Sequence, residues 1–157
     1  MRTTAKVDYA VRAAIELARA QPADASHGPP VKGHDVATAQ EIPVKFLESI
    51  LAELKRAGIV RSQRGSEGGY WLARPASEVS VADIIRAVEG PLADVRGVRP
   101  ESLDYADGLE ALQRMWVALR ASLRSVLEHV TLADLRDGTL PASVEELADD
   151  PAAWAVH

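Results

Sequence analysis

The chain has 157 residues, 47% of them hydrophobic, which suffices for one ordinary core or for a small domain with an oligomerisation element. It contains no cysteine, which excludes disulfides, thiolate metal sites and a catalytic thiol. The net charge is −5, yet residues 1–74 carry 11 Lys and Arg against 8 Asp and Glu, whereas residues 75–157 carry 7 against 15. Charges interrupt every apolar run, so we expect no membrane span and a cytoplasmic protein.

Two helices are predicted in the first 40 residues. Thr3 or Thr4 can cap the first, whose apolar side chains recur at helical spacing: Val7, Ala10, Val11, Ala14, Ile15 and Ala18. Residues 22–30 form a connector with three prolines. Residues 33–40 then predict a short second helix, with Val36 and Ala37 pointing inward.

A third helix and a hairpin are predicted over residues 43–75. The helix, residues 43–57, has one apolar stripe made of Leu47, Ile50, Leu51 and Leu54. Lys45, Glu48 and Lys55 face away from that stripe, and Gly58 ends the helix as a left-handed cap. Residues 59–63 and 70–73 predict two strands joined by a glycine-rich turn.

A helix followed by a hairpin with a cationic tip is the layout of a winged helix-turn-helix, in which the helix enters a DNA major groove and the wing reaches phosphates or the minor groove. The segment from Leu54 to Ser66 contains no acid and four basic residues: Lys55, Arg56, Arg61 and Arg64. Such a cluster is typical of a phosphate-contacting surface. The alternative is a solvated helix end and turn.

A fourth helix follows the hairpin. Ser80 and Asp83 have the spacing of a capping box, and Gly90 ends the apolar pattern. Its apolar face consists of Val81, Ile84, Ile85 and Val88.

A long helix is predicted from Tyr105 onward, with apolar residues on a 3.5-residue repeat. About 26 residues would span roughly 39 Å, too long for a domain of this size to cover. We therefore expect a homodimer seam formed by Leu109, Leu112, Trp116, Leu119, Leu123, Val126 and Val130. The alternative is an intramolecular core helix.

At this point the chain resembles a known family. Four segments closely resemble the iron–sulfur cluster regulators of the Rrf2 type, winged helix-turn-helix transcription factors that include IscR, NsrR and CymR: YAVRAAIELA, DVATAQEIPVKFLESILAELKRAGIVRSQRG, GGYWLARP and ADIIRAVEGPL. The likeness covers residues 1–92 and resumes at 115–135, which fit the family's dimerisation helix. The resemblance implies that Lys45 and Glu48 read base edges and that Arg64 enters the minor groove.

The chain departs from the family at the cofactor. Members usually hold a cluster with three cysteines in the loop before the long helix and often a histidine on that helix, where this chain has Gln113. Some relatives use an acid and a histidine on the first helix; Asp8 keeps the acid, but Arg12 replaces the histidine. We therefore expect no cofactor and no metal. Either an unidentified small-molecule effector acts on the protein or no ligand does.

The predicted fold is mainly α with a small β-hairpin wing. Residues 1–90 form the DNA-binding domain, 91–104 the loop, 105–137 the dimerisation region and 138–157 a tail. The sequence leaves open whether Trp154 of this tail packs against the body. The predicted function is a repressor that binds double-stranded DNA as a homodimer on a palindromic operator. The alternative is a winged-helix scaffold dimer without DNA binding. No nucleophile–base pair or phosphate loop indicates an enzyme.

Overall fold

The computed structural model describes residues 3–22 and 28–155, so the middle of the predicted connector lies outside it. The chain forms seven α-helices and two strands over these residues. Their bounds are α1 Ala5–Ala20, α2 Gly33–Gln40, α3 Val44–Arg56, β1 Val60–Gln63, β2 Gly69–Leu72, α4 Val81–Glu89, α5 Glu110–Leu127, α6 Leu132–Asp137 and α7 Ala142–Asp149. Three short 3₁₀ turns lie at Ala76–Glu78, Pro100–Ser102 and Pro151–Trp154. The mainly helical fold with a hairpin wing is confirmed.

Helix α1 is the centre of the core. Thr4 caps it, with the side-chain oxygen accepting from the Val7 amide at 3.3 Å. Its buried face is largely alanine, so neighbouring backbones approach closely: Val7, Ala10, Ala13, Ala14, Leu17 and Ala18. Helices α2, α3, α4 and α6 and strand β2 all pack against it.

The third helix and the hairpin follow the predicted pattern. Leu47, Ile50, Leu51 and Leu54 of α3 are all buried. Gly58 adopts a left-handed conformation with φ +73° and turns the chain into β1. The strands pair antiparallel, from Val60 opposite Leu72 to Gln63 opposite Gly69.

Two capping boxes organise the far side of the core. The predicted box of Ser80 and Asp83 at the start of α4 is confirmed. A second box, Thr131 with Asp134, starts α6 and was not predicted. The two segments are joined by hydrogen bonds from the Val81 amide to the Val130 carbonyl and from the Leu132 amide to the Val79 carbonyl, both 2.9 Å. Leu132 thus belongs to the same core as α1–α4, although the apolar repeat predicted residues 130–132 as part of the dimerisation region.

The long helix is shorter than predicted. Helix α5 has 18 residues, about 27 Å at 1.5 Å per residue, because the chain turns at Gly108 (φ +91°) and the second capping box restarts it at Thr131. Tyr105 therefore lies outside α5, under the Arg96 guanidinium at 5.8 Å from its ring centroid. Leu109 is only the residue before the helix. Val130 is 5% exposed within its own chain, so it is not available to the expected seam.

The tail forms α7 and a 3₁₀ turn. Val144 is buried, but Trp154 is 78% exposed and its indole Nε1 donates to the Ala148 carbonyl at 2.6 Å. The Trp154 ring therefore does not pack against the body of the chain, because this local hydrogen bond holds it beside α7. Within residues 3–22 and 28–155, no helix is long and apolar enough to cross a membrane.

Candidate DNA-binding surface

One face of α3 is turned to solvent. Lys45 and Glu48 lie one turn apart on this face, and both are exposed. Across the described residues neither side chain takes part in an ion pair or a hydrogen bond. Lys45 sits in the first helical turn, whose N-terminus no side chain caps, so the positive end of the helix dipole adds to its charge.

Contacts with α1 fix the orientation of that face. Glu53 of α3 pairs with Lys6 at 2.7 Å, and Lys6 also donates to the Val88 carbonyl of α4 at 2.8 Å. The Phe46 ring meets the Tyr9 ring edge-on, with centroids 5.7 Å apart. These side chains lie beside the buried stripe of α3, so they resist rotation of the helix about its own axis.

Arg12 joins α1 to α2. Its Nε donates to the Gln40 side-chain oxygen at 3.1 Å, its Nη2 donates to the Gln40 carbonyl, and its Nη1 pairs with Asp8 at 3.2 Å. Arg12 therefore holds α1 and α2 together, and the same guanidinium also forms the ion pair with Asp8.

The predicted cationic cluster lies at the junction of α3 and the wing. Lys55 donates to the Ser62 hydroxyl at 2.8 Å and so ties the end of α3 to β1. Arg56, Arg61 and Arg64 are exposed, and none of them pairs with an acid in the part of the chain that the structure describes. Arg61 stands opposite Trp71 across the hairpin, and Arg64 occupies the turn itself. The four predicted cations thus lie along the end of α3, strand β1 and the turn of the wing.

Two glycines shape the wing for steric reasons. A Cβ on Gly68 would lie 2.1 Å from the Gln63 carbonyl oxygen, and one on Gly69 (φ +155°) would lie 2.5 Å from the Val31 carbonyl oxygen. Any side chain would therefore force the turn open. These glycines set the path of the turn that carries Arg64.

Sequence reasoning missed Val31 and Lys32. Val31 adds a third extended segment to the wing, because it forms an antiparallel bridge with Tyr70. Lys32 reaches the wing turn with its ammonium group. The β-branched Val31 after Pro29 and Pro30 was the one local signal for this segment, and its partner is about 40 positions away in sequence.

A second apolar surface lies on α5. None of its side chains is buried; Leu119 is 38% and Met115 is 45% exposed, and Met115 extends the stripe beyond the predicted positions. Leu112, Trp116, Leu123 and Val126 are half-buried. A cavity of about 790 Å³ separates α5 from α1, α4 and residues 91–96, and Trp116, Leu119 and Leu123 form one of its walls.

The loop before α5 is held by protein groups. Gln113 Nε2 donates to the Leu103 carbonyl at 2.8 Å and to the Pro100 carbonyl at 3.3 Å. Arg120 pairs with Glu101, and this hydrogen bond keeps the pKa of the Glu101 carboxyl below its usual value. Gln113 therefore attaches the loop to α5 by hydrogen bonds.

An exposed helix in a helix-turn-helix, followed by a wing with a cationic turn, defines the winged helix-turn-helix class of DNA-binding regulators. The chain belongs to the Rrf2 family, whose model, described as an iron-dependent transcriptional regulator, matches residues 3–138. The resemblance expected from the sequence is confirmed. The chain is therefore a DNA-binding transcriptional regulator of this family.

Similar proteins cover nearly the whole chain. A candidate HTH-type transcriptional regulator of Mycobacterium tuberculosis is 51% identical over 150 residues, which are 96% of this chain and 90% of that protein. The structure of CymR, the global cysteine regulator of Bacillus subtilis, matches with a TM-score of 0.73 at 29% identity over 88% of this chain and 98% of CymR. IscR from T. potens matches with a TM-score of 0.66 at 29% identity over 100% of this chain and 93% of IscR.

The donor groups present do not fit the iron site that the family description implies. The sequence supplies no thiolate, and cluster iron is held by thiolates with at most partial replacement by histidine. Gln113, Glu101 and Asp8 are each engaged by hydrogen bonds or ion pairs. Over residues 3–22 and 28–155, no three His, Asp or Glu side chains gather as a metal site.

Proposed function

We propose that this protein is a homodimeric repressor that binds a palindromic operator without an iron–sulfur cluster. The observation that carries the proposal is the exposed surface of α3 and the wing, on which Lys45, Glu48 and Arg64 are free of partners within the described residues. A folded chain that leaves its cations unpaired on a protruding helix and wing is suited to a polyanion.

Base reading is assigned to α3 and groove reading to the wing. Lys45 can donate to guanine acceptors, and Glu48 can accept from a cytosine amino group. Arg64 suits a narrow A·T-rich minor groove, where the negative potential is strongest. Lys55, Arg56 and Arg61 lie between these two regions and are assigned to phosphates, which set register without reading sequence.

The dimer is inferred from α5. An amphipathic helix with no buried side chain, beside an open apolar cavity, lacks the covering that such a stripe normally finds within a chain. A second copy's α5 has the matching stripe, and a two-fold axis that places the two stripes face to face would bury both. Each stripe consists of Leu112, Trp116, Leu119, Leu123 and Val126. Two-fold symmetry also presents two α3 helices, which is why the operator is proposed to be a palindrome.

Binding of the dimer to its operator would be sufficient for repression. A dimer seated on a promoter excludes other proteins from the same stretch of duplex. The proposal therefore requires affinity and sequence preference, and it requires no bound ligand.

Selection of bound sequences from a random duplex pool tests the proposal. We expect an enriched palindrome with half-site centres about 10 base pairs apart or a multiple of that distance. Lys45→Ala should then relax preference at one base position per half-site, whereas a phosphate-only contact would weaken all sequences alike and make the salt dependence shallower. Recovery of no preferred sequence by the folded wild type would favour the scaffold alternative.

A further inference from the structure

The turn of the wing is attached to the helix-turn-helix by a lysine that the proposed DNA contacts do not use. Lys32 immediately precedes α2 and has extended backbone torsions. Its Nζ donates to the Gly65 carbonyl at 3.3 Å and to the Ser66 carbonyl, 33 and 34 residues away. The side chain thus spans from the start of α2 to the far end of the hairpin.

Backbone pairing already fastens the base of the wing at the same place. The Val31 amide donates to the Tyr70 carbonyl and the Tyr70 amide to the Val31 carbonyl, both at 2.8 Å. This pairing stops short of the turn, because the ladder between β1 and β2 ends at Gln63 opposite Gly69. Within the turn the backbone contributes the bond from the Gly68 amide to the Gly65 carbonyl at 3.0 Å.

We propose that Lys32 is a positioning residue for the wing, holding residues 64–68 so that Arg64 is presented to DNA in one geometry. The DNA consequence rests on the proposed function. A short turn with glycines at positions 65 and 68 has many accessible conformations, and ordering it on binding costs conformational entropy. The two hydrogen bonds that Lys32 donates from the start of α2 restrict the conformations of the turn before DNA binds.

A lysine suits this task because its ammonium group donates to two carbonyls and accepts nothing. Arginine can make the same two bonds, whereas methionine keeps the length and loses the donors. Lys32→Arg is therefore the conservative variant and Lys32→Met the disruptive one. Arg99→Met, at an exposed position in the loop before α5, is the control for the loss of one positive charge.

The first experiment needs no DNA. Backbone order parameters from NMR relaxation of the free protein should fall at residues 64–68 in Lys32→Met, from rigid values near about 0.85 toward about 0.6. Lys32→Arg should restore them, and Arg99→Met should leave them unchanged. Equal order parameters in Lys32→Met and the wild type would overturn the proposal.

The second experiment is a double-mutant cycle with Arg64→Ala on an operator with A·T-rich flanks. If Lys32 acts through Arg64, Lys32→Met should weaken binding about three- to tenfold in the wild-type background and not at all in the Arg64→Ala background. The same loss in both backgrounds, with a shallower salt dependence, would make Lys32 a direct phosphate contact and overturn the positioning role.

The two experiments separate this inference from the proposed function. A wild type that binds no duplex would remove the proposed function, while the order parameters would still decide whether Lys32 holds the turn. Binding that responds to Arg64→Ala but not to Lys32→Met would leave the function in place and remove the positioning role.

Discussion

Helices α3 and α5 are both amphipathic, but only α3 has its apolar face buried within the chain. The apolar stripe of α3 is buried in full against α1 and α4, and its polar face is left outside. The stripe of α5 is as regular, yet no side chain on that helix is buried. Helical periodicity therefore predicts that a stripe will be covered but does not show whether the same chain or a second one covers it.

Small side chains on the partner helix explain the difference. The alanines of α1 let α3 approach closely, so the buried leucines of α3 and Ile50 fill the space above them. On α5 the nearest elements are α4 and the Pro100–Ser102 turn, and the cavity of about 790 Å³ remains between the helix and α1.

Leu119→Asp should separate the proposed dimer. A charge placed in a buried seam is left without a partner, which costs about 3–5 kcal/mol. Light scattering at micromolar concentration should report about twice 16.9 kDa for the wild type and 16.9 kDa for the variant. Ala121→Asp, on the same helix but off the stripe, is the matched control and should keep the wild-type mass. A well-folded wild-type monomer would contradict the contrast.

Leu51→Ala should destabilise the chain itself. Removing a fully buried leucine loses its transfer free energy and leaves a cavity, about 2–5 kcal/mol in all. Denaturant unfolding at two protein concentrations tenfold apart should give the same loss at each for Leu51→Ala. The loss for Leu119→Ala should instead depend on concentration, because that side chain packs on a second copy. Indistinguishable behaviour of the two variants would mean that both stripes are covered by the same chain.

Arg64→Ala should weaken DNA binding and leave the packing of both apolar stripes unchanged. We expect a loss of about 1–3 kcal/mol, largest on operators with A·T-rich flanks, because groove width sets the potential that the guanidinium reads. Fluorescence anisotropy on matched operators measures it, with Arg99→Ala as the charge control. A loss that is equal on A·T-rich and G·C-rich flanks would assign Arg64 to phosphate only.

The smallest effect concerns pH. Glu128, just after α5, accepts from Arg124 of α5 and Arg86 of α4, and these hydrogen bonds lower the pKa of its carboxyl from 4.5 to about 2. Since the folded pKa is the lower one, the contribution is present above pH 4.5 and is lost as pH falls toward 2. Both arginines are exposed to solvent and Glu128 is only half-buried, so the change is shallow. Glu128→Gln should flatten the pH dependence of unfolding over that range, and an unchanged slope would contradict the assignment.

The elements that sequence predicted well are those with local signals. The bounds of α2 and the box of Ser80 and Asp83 depend on residues three or four positions apart, and the structure has them as expected. The end of α5 carried an equally local signal in Thr131 and Asp134, but an unbroken apolar repeat from Tyr105 to Val130 overrode it. The pairing of residues 79–81 with 130–132 is non-local and leaves no trace in either segment alone.

On the candidate DNA-binding surface, too, local sequence patterns predicted some residues and missed others. Residue type and helical spacing sufficed to name Lys45, Glu48 and the cations from Lys55 to Arg64, and all of them are exposed. Their contacts with DNA stay predictions. Lys32 and Val31 could not be found, because their roles depend on a turn and a strand more than 30 positions downstream.

The amide of Gln113 attaches the loop before α5 to the helix by hydrogen bonds within the chain. A ligand that displaced this loop would have to break both hydrogen bonds, so it would have to bind the displaced loop more tightly than the attached one. If the proposed function holds and no effector binds, operator occupancy is set by the number of copies of the protein in the cell. Because two copies would have to associate before both half-sites are bound, occupancy would then rise more steeply than protein concentration.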